Sequence, residues 1–212
     1  MFTGIITEVG TVRSVRRIPG GLRPRIAAGK VLEDLRTGDS IALDGVCQTV
    51  VAVEEGGFEV EVLPETLKRT TLVGLRPGRR INLEPAVGLN DRFGGHLITG
   101  HVDGLGTIRA RQSRAGDAVL RIAAPGGIMA QLVERGSVAV DGISLTVVSL
   151  LPGAFTVALI PHTLQATTLA AKRAGDRVNL ETDLIVKAVH RWLGPTLGGG
   201  RMTEERLTDL GF

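Results

Sequence analysis

The chain repeats itself. Moving the sequence by 97 positions carries Leu43-Asp44-Gly45-Val46-Cys47-Gln48-Thr49-Val50-Val51 onto Val140-Asp141-Gly142-Ile143-Ser144-Leu145-Thr146-Val147-Val148 without a gap. The same shift carries Pro64-Glu65-Thr66-Leu67 onto Pro161-His162-Thr163-Leu164, Thr70-Thr71-Leu72 onto Thr167-Thr168-Leu169, and Asn82-Leu83-Glu84 onto Asn179-Leu180-Glu181. Upstream, at a shift of 96, Thr3-Gly4 and Gly10-Thr11 meet Thr99-Gly100 and Gly106-Thr107. Solenoid units run roughly 20–50 residues, so a period this long is the length of a whole domain. A chain of 212 residues therefore divides into two similar domains, residues 1–96 and 97–193, followed by a tail over 194–212. Two similar domains imply two similar pockets.

Each half reads as short strands punctuated by glycine and proline. Val46 to Val53 and Phe58 to Leu63 are rich in β-branched and apolar residues, as are Ile143 to Leu151 and Phe155 to Ile160, which is the composition of strands. Gly56-Gly57 and Pro152-Gly153 lie between those runs at hairpin spacing. The fold class is all-β, a small closed antiparallel barrel or sandwich in each half. Lys30 to Leu35 and Gly127 to Leu132 read as one short helix per domain. After the second repeat, Leu184, Ile185, Ala188, Val189, Trp192 and Leu193 form the stripe of an amphipathic helix over 184–193, ended by Gly194-Pro195. This helix has no counterpart in the first repeat, so it packs either on its own barrel or on copies of itself.

Charge and cysteine content narrow the function classes. The net charge is only +3, the basic residues are scattered, and aromatic residues make up 3% with no tyrosine. That leaves no base-stacking platform and argues against a nucleic-acid partner. No apolar run reaches the roughly 18–20 residues of a membrane span, and the N-terminus lacks the pattern of a signal peptide. With Cys47 as the single cysteine, no internal disulfide forms, and a cytoplasmic location is expected.

The polar part of the repeat carries the chemistry. Side chains alternate across a strand, so Cys47 and Thr49 share one face while Val46, Gln48 and Val50 share the other; Ser144 and Thr146 form the matching pair. Such pairs can merely satisfy local backbone groups, but their recurrence beside Asp44-Gly45 and Asp141-Gly142 favours two pockets. Cys47 against Ser144, and Glu65 against His162, show that the pockets have diverged. His96 and His101 lie together in Gly94-Gly95-His96-Leu97-Ile98-Thr99-Gly100-His101. One cysteine and two spaced histidines are no zinc set. His101 replaces Ile5 of the first repeat, so a barrel does not need it there, which favours proton transfer over a core role. No glycine-rich phosphate cradle is present.

Met1-Phe2-Thr3-Gly4-Ile5-Ile6, the stretch from Gly94 to Gly104, Val140-Asp141-Gly142-Ile143-Ser144-Leu145-Thr146-Val147, Ile160-Pro161-His162-Thr163-Leu164 and Asn179-Leu180-Glu181-Thr182-Asp183 closely resemble the riboflavin synthase family of the α-chain type. The resemblance runs from Met1 to about Leu193. It implies two six-stranded antiparallel Greek-key barrels, each holding one 6,7-dimethyl-8-ribityllumazine, and a homotrimer gathered by the C-terminal helix. It further implies a dismutation without cofactor or metal, in which one lumazine gives a four-carbon unit to another. The products are riboflavin and 5-amino-6-(D-ribitylamino)uracil. By the same resemblance, His101, Ser144 and Thr146 transfer and position protons, Cys47 and Thr49 serve the opposing pocket, and Asp183 and Asp141 orient these groups. Phe2 lies near the site between subunits. Ligand contact is implied for Gly4, Ile5 and Ile6; for Cys47, Gln48 and Thr49; for Glu61, Val62, Leu63, Pro64, Glu65 and Thr66; for Gly100, His101, Val102 and Arg135; for Ser144, Leu145 and Thr146; and for Leu159, Ile160, Pro161, His162, Thr163 and Leu164. Partners implied are the lumazine substrate, riboflavin as product, further copies of the chain, and lumazine synthase, with which some relatives dock. Two positions depart from the family pattern: Gln48 stands in place of leucine and Thr99 in place of the commoner serine.

Two rivals share parts of this pattern. Lumazine proteins that serve as optical antennae are similar in fold but hold a chromophore without turning it over. A flavin-binding reductase barrel would need a nicotinamide domain, for which the chain has no room. The full set of Cys47, His101, Ser144, Thr146 and Asp183 favours the enzyme.

Overall fold

A computed structural model describes residues 1–114 and 116–197. In the first half, β1 (Glu8–Ile18), β2 (Gly21–Ala27), β3 (Ser40–Leu43), β4 (Val46–Glu54), β5 (Gly57–Val60) and β6 (Arg80–Pro85) close into an antiparallel barrel in the order β1-β2-β5-β4-β3-β6. In the second half, β7 (Gly104–Arg114), β8 (Asp117–Ala123), β9 (Ser137–Val140), β10 (Ile143–Leu151), β11 (Ala154–Leu159) and β12 (Arg177–Thr182) close in the same cyclic order. Closure leaves no free sheet edge. Each barrel is filled by its inward side chains, among them Ile26, Leu43, Phe58 and Leu83 in the first and Leu120, Val140, Phe155 and Leu180 in the second, all fully buried.

Helices appear where the strand pattern breaks. Pro64 opens α1 (Pro64–Arg69). The segment expected to be helical near Lys30 is a single 3-10 turn, Lys30–Glu33. Its counterpart is the one-turn α2 (Gly126–Met129). In each, few side chains reach the core: Val31 and Leu35, or Ile128 and Leu132, are buried, and Leu32 or Met129 packs against it partly buried. Pro161 opens α3 (Pro161–Ala166), as Pro64 opens α1; proline suits this position because its fixed φ is already helical and its missing N–H has no intrahelical partner there. The threonine pairs of the repeat follow. Thr70 and Thr167 each cap a 3-10 turn, accepting from Leu72 N and Leu169 N.

The last helix, α4 (Leu184–Leu197), runs through Gly194-Pro195 instead of stopping there. A proline has no N–H to donate to the carbonyl four residues back and crowds it, but so little of the helix follows Pro195 that the cost falls on its last turn. On α4, Ile185 and Val189 are not packed on the barrel: Ile185 is 67% exposed and Val189 is 50% exposed.

The barrels meet at the two Asp-Gly turns. Asp44 and Gly45 both adopt positive φ, as do Asp141 and Gly142, the requirement of a two-residue hairpin turn of type I′. The turns abut so closely that a Cβ on Gly45 would lie 2.5 Å from Gly142 N. Two asparagines sew the seam. Asn82 Nδ2 donates to Asp141 O (3.0 Å) and its Oδ1 accepts from Thr168 N (2.8 Å). Asn179 returns the arrangement, donating to Asp44 O (2.8 Å) and accepting from Thr71 N (2.8 Å). The segments that lead into the barrels, residues 1–7 and 97–103, also pair with each other: Phe2 N donates to Ile98 O (2.8 Å) and Ile98 N to Phe2 O (3.0 Å).

Candidate functional site

Strand alternation places the paired hydroxyl and thiol groups on the outside of each barrel. On β4, Val46, Gln48 and Val50 are buried, while Cys47 is half-buried and Thr49 exposed. On β10, Ile143, Leu145 and Val147 are buried, while Ser144 is half-buried and Thr146 exposed. The barrel interiors are packed with apolar side chains, so a ligand has to lie against the outer faces. Val147 pairs with Val157, and this antiparallel register returns the end of β11 and the following loop alongside Ser144 and Thr146. The loop after β5 takes the same place beside Cys47 and Thr49, because Val50 pairs with Val60. Leu63 and Ile160 sit at equivalent places in these loops and are 61% and 58% exposed, apolar surface that a flat ring would cover.

The second-barrel site is completed by the first arm. Ser144 N donates to Gly4 O (2.9 Å), and a Cβ on Gly4 would fall 2.6 Å from Ser144 Cβ. Ile6 packs on the core of the second barrel. His96 faces the same serine, with Nδ1 2.7 Å from Ser144 Oγ. Burial pushes the His96 imidazole below its ordinary pKa, while the Asp183 carboxylate partly opposes this. The ring is therefore neutral at neutral pH, with its Nε2 buried and without a hydrogen-bond partner among the described residues. Asp183 lies between β12 and α4, where its Oδ1 accepts from Ile185 N (2.7 Å). A hydroxyl and a neutral imidazole thus meet, with the Asp183 carboxylate acting on the ring electrostatically, a set able to accept and relay a proton. Arg135 has φ +66 where the first repeat has Gly38 at φ +96; both backbone N–H groups donate to the neighbouring strand, to Val147 O and Val50 O. Arg135 thus holds a backbone conformation that favours glycine.

The first-barrel site is completed by the second arm in the same way. Cys47 N donates to Gly100 O (2.9 Å), a Cβ on Gly100 would lie 2.6 Å from Cys47 Cβ, and Val102 packs on the core of the first barrel. His101 follows Gly100 and is exposed. Within one chain, then, His101 accompanies Cys47, and His96 accompanies Ser144. Two further clefts lie elsewhere. One of about 690 Å³ runs between the first arm and the Lys30–Glu33 turn. Another of about 540 Å³ is lined by Thr71, Arg79, Thr168 and Lys172 at the domain seam. Neither is lined by Cys47, Thr49, Ser144 or Thr146.

Comparison with known proteins fits this geometry. The model of the lumazine binding domain matches residues 3–86 and again residues 99–183. The chain belongs to the lumazine binding domain family. Riboflavin synthase of Bacillus subtilis is 41% identical over 193 residues, 91% of this chain and 90% of that one. Riboflavin synthase of Mycobacterium bovis is 47% identical over 197 residues, 90% of this chain and 97% of that one. Among solved structures, LumP complexed with riboflavin superposes with a TM-score of 0.80 at 21% identity, over 86% of this chain and 99% of that one. LumP complexed with 6,7-dimethyl-8-(1'-D-ribityl) lumazine gives a TM-score of 0.78. At this identity these two establish the shared fold.

Within this lumazine-binding fold, several expected site residues take other places. Asp141 is fully buried in the domain seam, where Oδ1 accepts from Asn179 N (2.7 Å) and Oδ2 pairs with Lys172 Nζ (2.8 Å). It holds the turn and has no access to the outer face. Gln48 and Leu145 point inward by strand alternation, and Gln48 Nε2 donates to Cys47 O (2.6 Å). Val62 and Leu159 are core residues as well; these four can offer a ligand backbone groups only. Phe2 is fully buried between the barrels with Ala42, Ile98, Ala139 and Cys47, so it backs the first-barrel site from beneath. Glu61 is engaged by Arg23. His96 is the residue of this candidate site that the sequence pattern passed over. The repeat holds no partner for it, because at the arm's shift its counterpart would fall before Met1; its one signal was its nearness to His101.

Proposed function

We propose that this chain is a riboflavin synthase: it converts two 6,7-dimethyl-8-ribityllumazine molecules into riboflavin and 5-amino-6-(D-ribitylamino)uracil by transfer of a four-carbon unit. The observation that carries this is the pair of outer-face sites that share one frame but differ in chemistry. One presents Ser144 with His96 and Asp183, the other Cys47 and Thr49 with His101. A carrier of one chromophore needs no second polar site. The relatives at 41% and 47% identity over nearly the full chain support the same reading.

The atoms of two lumazines equal those of the two products, so neither oxidant nor reductant is consumed. The lumazine 7-methyl group is acidic because its carbanion spreads into the ring, and a neutral His96 acting through Ser144 is placed to take that proton. Thr146 and Arg135 would orient the ring and the ribityl chain in the second-barrel site. Cys47, Thr49 and His101 would hold the other molecule while a thiol, hydroxyl or water adds to its ring. Holding two flat rings face to face can supply roughly 7–11 kcal/mol of a barrier through orientation alone. Within one chain the two sites lie on separate barrels, so the reacting pair meets most simply between the first barrel of one copy and the second barrel of another. The exposed apolar face of α4 supports such a self-association, as a homotrimer. Among the described residues no helix is long and apolar enough to cross a membrane, and a cytoplasmic location with lumazine synthase as a docking partner belongs to the same proposal.

The test is incubation of the purified protein with 6,7-dimethyl-8-ribityllumazine alone, following riboflavin by absorbance and chromatography. Two lumazines lost per riboflavin gained establish the dismutase. Tight binding of unchanged lumazine would assign the chain to the carriers instead.

A further inference from the structure

Glu84 and Glu181 end the Asn-Leu-Glu motifs of β6 and β12. Each shares a strand face with its asparagine, Asn82 or Asn179, which sews the seam. Both carboxylates are buried, at 5% and 3% exposed. Neither pairs with a lysine or arginine among the described residues, in contrast to Asp44, Asp141 and Asp103. A buried carboxylate without a counter-cation is costly, and this chain keeps one in each repeat.

What surrounds them explains why. Glu84 Oε1 accepts from Thr3 N (2.6 Å) and Thr3 Oγ1 (2.8 Å), and Oε2 from Gly4 N (3.0 Å). Glu181 Oε1 accepts from Thr99 N (2.7 Å) and Thr99 Oγ1 (2.6 Å), and Oε2 from Gly100 N (3.0 Å). The grip continues outward. Thr3 Oγ1 accepts from Ile5 N and Thr99 Oγ1 from His101 N, both at 3.2 Å. Each arm presents three donors, and only a group with two acceptor oxygens and no donor meets them all. Yet the arm held by Glu84 does not complete the first barrel. Its Gly4 carbonyl receives Ser144 N of the second barrel, and the Gly100 carbonyl of the arm held by Glu181 receives Cys47 N of the first.

We infer that Glu84 and Glu181 are crossed positioning residues: each carboxylate, rooted in one barrel, sets the arm that completes the ligand site of the other. The inference deepens the proposed function and rests on it for the identity of the ligand. It makes the two sites interdependent, because neither barrel alone carries a complete one. Burial already pushes the Glu84 carboxyl above its ordinary pKa, with the Thr3 and Gly4 donors pulling it back, so the donors are what keep the charge in place. A glutamine keeps one acceptor but turns an NH2 donor toward Gly4 N or Gly100 N.

The experiment compares full-length wild type, Glu84→Gln and Glu181→Gln. Two-site binding of 6,7-dimethyl-8-ribityllumazine is followed by NMR of isotope-labelled ligand, with Thr146→Val and Thr49→Val marking which resonance belongs to which barrel. Glu84→Gln is expected to weaken the second-barrel site at least about tenfold, roughly 1.4 kcal/mol, and leave the first-barrel site within about twofold of wild type. Glu181→Gln is expected to do the reverse. Weakening of the same-barrel site, or of both sites equally, overturns the inference, because a merely structural role would produce one of those patterns. Amide hydrogen exchange on the unliganded proteins reads the coupling without any ligand. Ser144 N should lose protection selectively in Glu84→Gln, and Cys47 N selectively in Glu181→Gln; unchanged protection at both overturns it. If wild type binds no lumazine, the functional proposal fails, and the exchange result still decides the coupling.

Discussion

Removing the Asn82 side chain should separate the two barrels more than it damages either one. Asn82 is 1% exposed. Its amide spans the seam with one donated and one accepted bond, to Asp141 O and from Thr168 N. Asn82→Ala leaves that carbonyl and that N–H buried without partners, and an unsatisfied buried group costs about 1–3 kcal/mol. With two such groups the loss is about 2–6 kcal/mol, less whatever water entering the gap restores. The β6 ladder itself survives, because its pairing with β1 and β3 is backbone to backbone, and Asn82 N still donates to Asp44 Oδ1 (2.9 Å). The assay is urea unfolding followed by circular dichroism, with Asn179→Ala and the double variant alongside. The expected result is a lowered midpoint for each single variant, and a double variant whose transition splits as the barrels unfold separately. A loss below about 1 kcal/mol, the net worth of one ordinary hydrogen bond, with one unchanged transition, would refute the view that these asparagines bind the domains together.

Four further outcomes follow from the same geometry. His96→Gln should cut turnover about 10²–10⁴-fold with a smaller change in lumazine affinity, read as kcat against Kd. Arg135→Gly should relieve about 1–2 kcal/mol of left-handed strain, raising Tm while weakening lumazine binding at the second-barrel site. Asp44 is pushed from 3.8 up to about 6, first by burial and then by Asp141, with Arg79 opposing. Its folded form therefore keeps a proton that the unfolded chain releases, so this group's stabilising contribution is full below pH 3.8 and lost as pH rises through about 6. Asp44→Asn should flatten that part of the stability–pH curve measured by urea unfolding from pH 4 to 7. Ile185→Asp with Val189→Asp should keep both barrels folded and abolish self-association in sedimentation velocity, with turnover falling in step.

The facing of the candidate site residues was legible because strand alternation is a local rule. Val46, Gln48 and Val50 had to face opposite to Cys47 and Thr49 once β4 was a strand, and the repeat supplied Ser144 and Thr146. The stripe of α4 was legible for the same reason, since helical period alone predicts it. Asp141 misled because an Asp-Gly turn beside a reactive strand looks alike whether its carboxylate faces ligand or a second turn. The short helices at Pro64 and Pro161 were readable from proline at the first helical position, but strand-like flanks concealed them.

The sequence by itself determined that the chain is two copies of one β domain, which faces of β4 and β10 carry polar groups, and that the copies have diverged. Those properties depend on neighbours a few residues apart and on a comparison of the chain with itself. Only the tertiary structure decided that the arms exchange, that His96 rather than His101 meets Ser144, and that Glu84 and Glu181 hold the arms in place. Gly4 and Ser144 lie far apart in sequence, and a repeat says that both halves have an arm without saying which barrel receives it. That choice follows from the abutting Asp-Gly turns, which bring the barrels close enough for each arm to reach the other's outer strand.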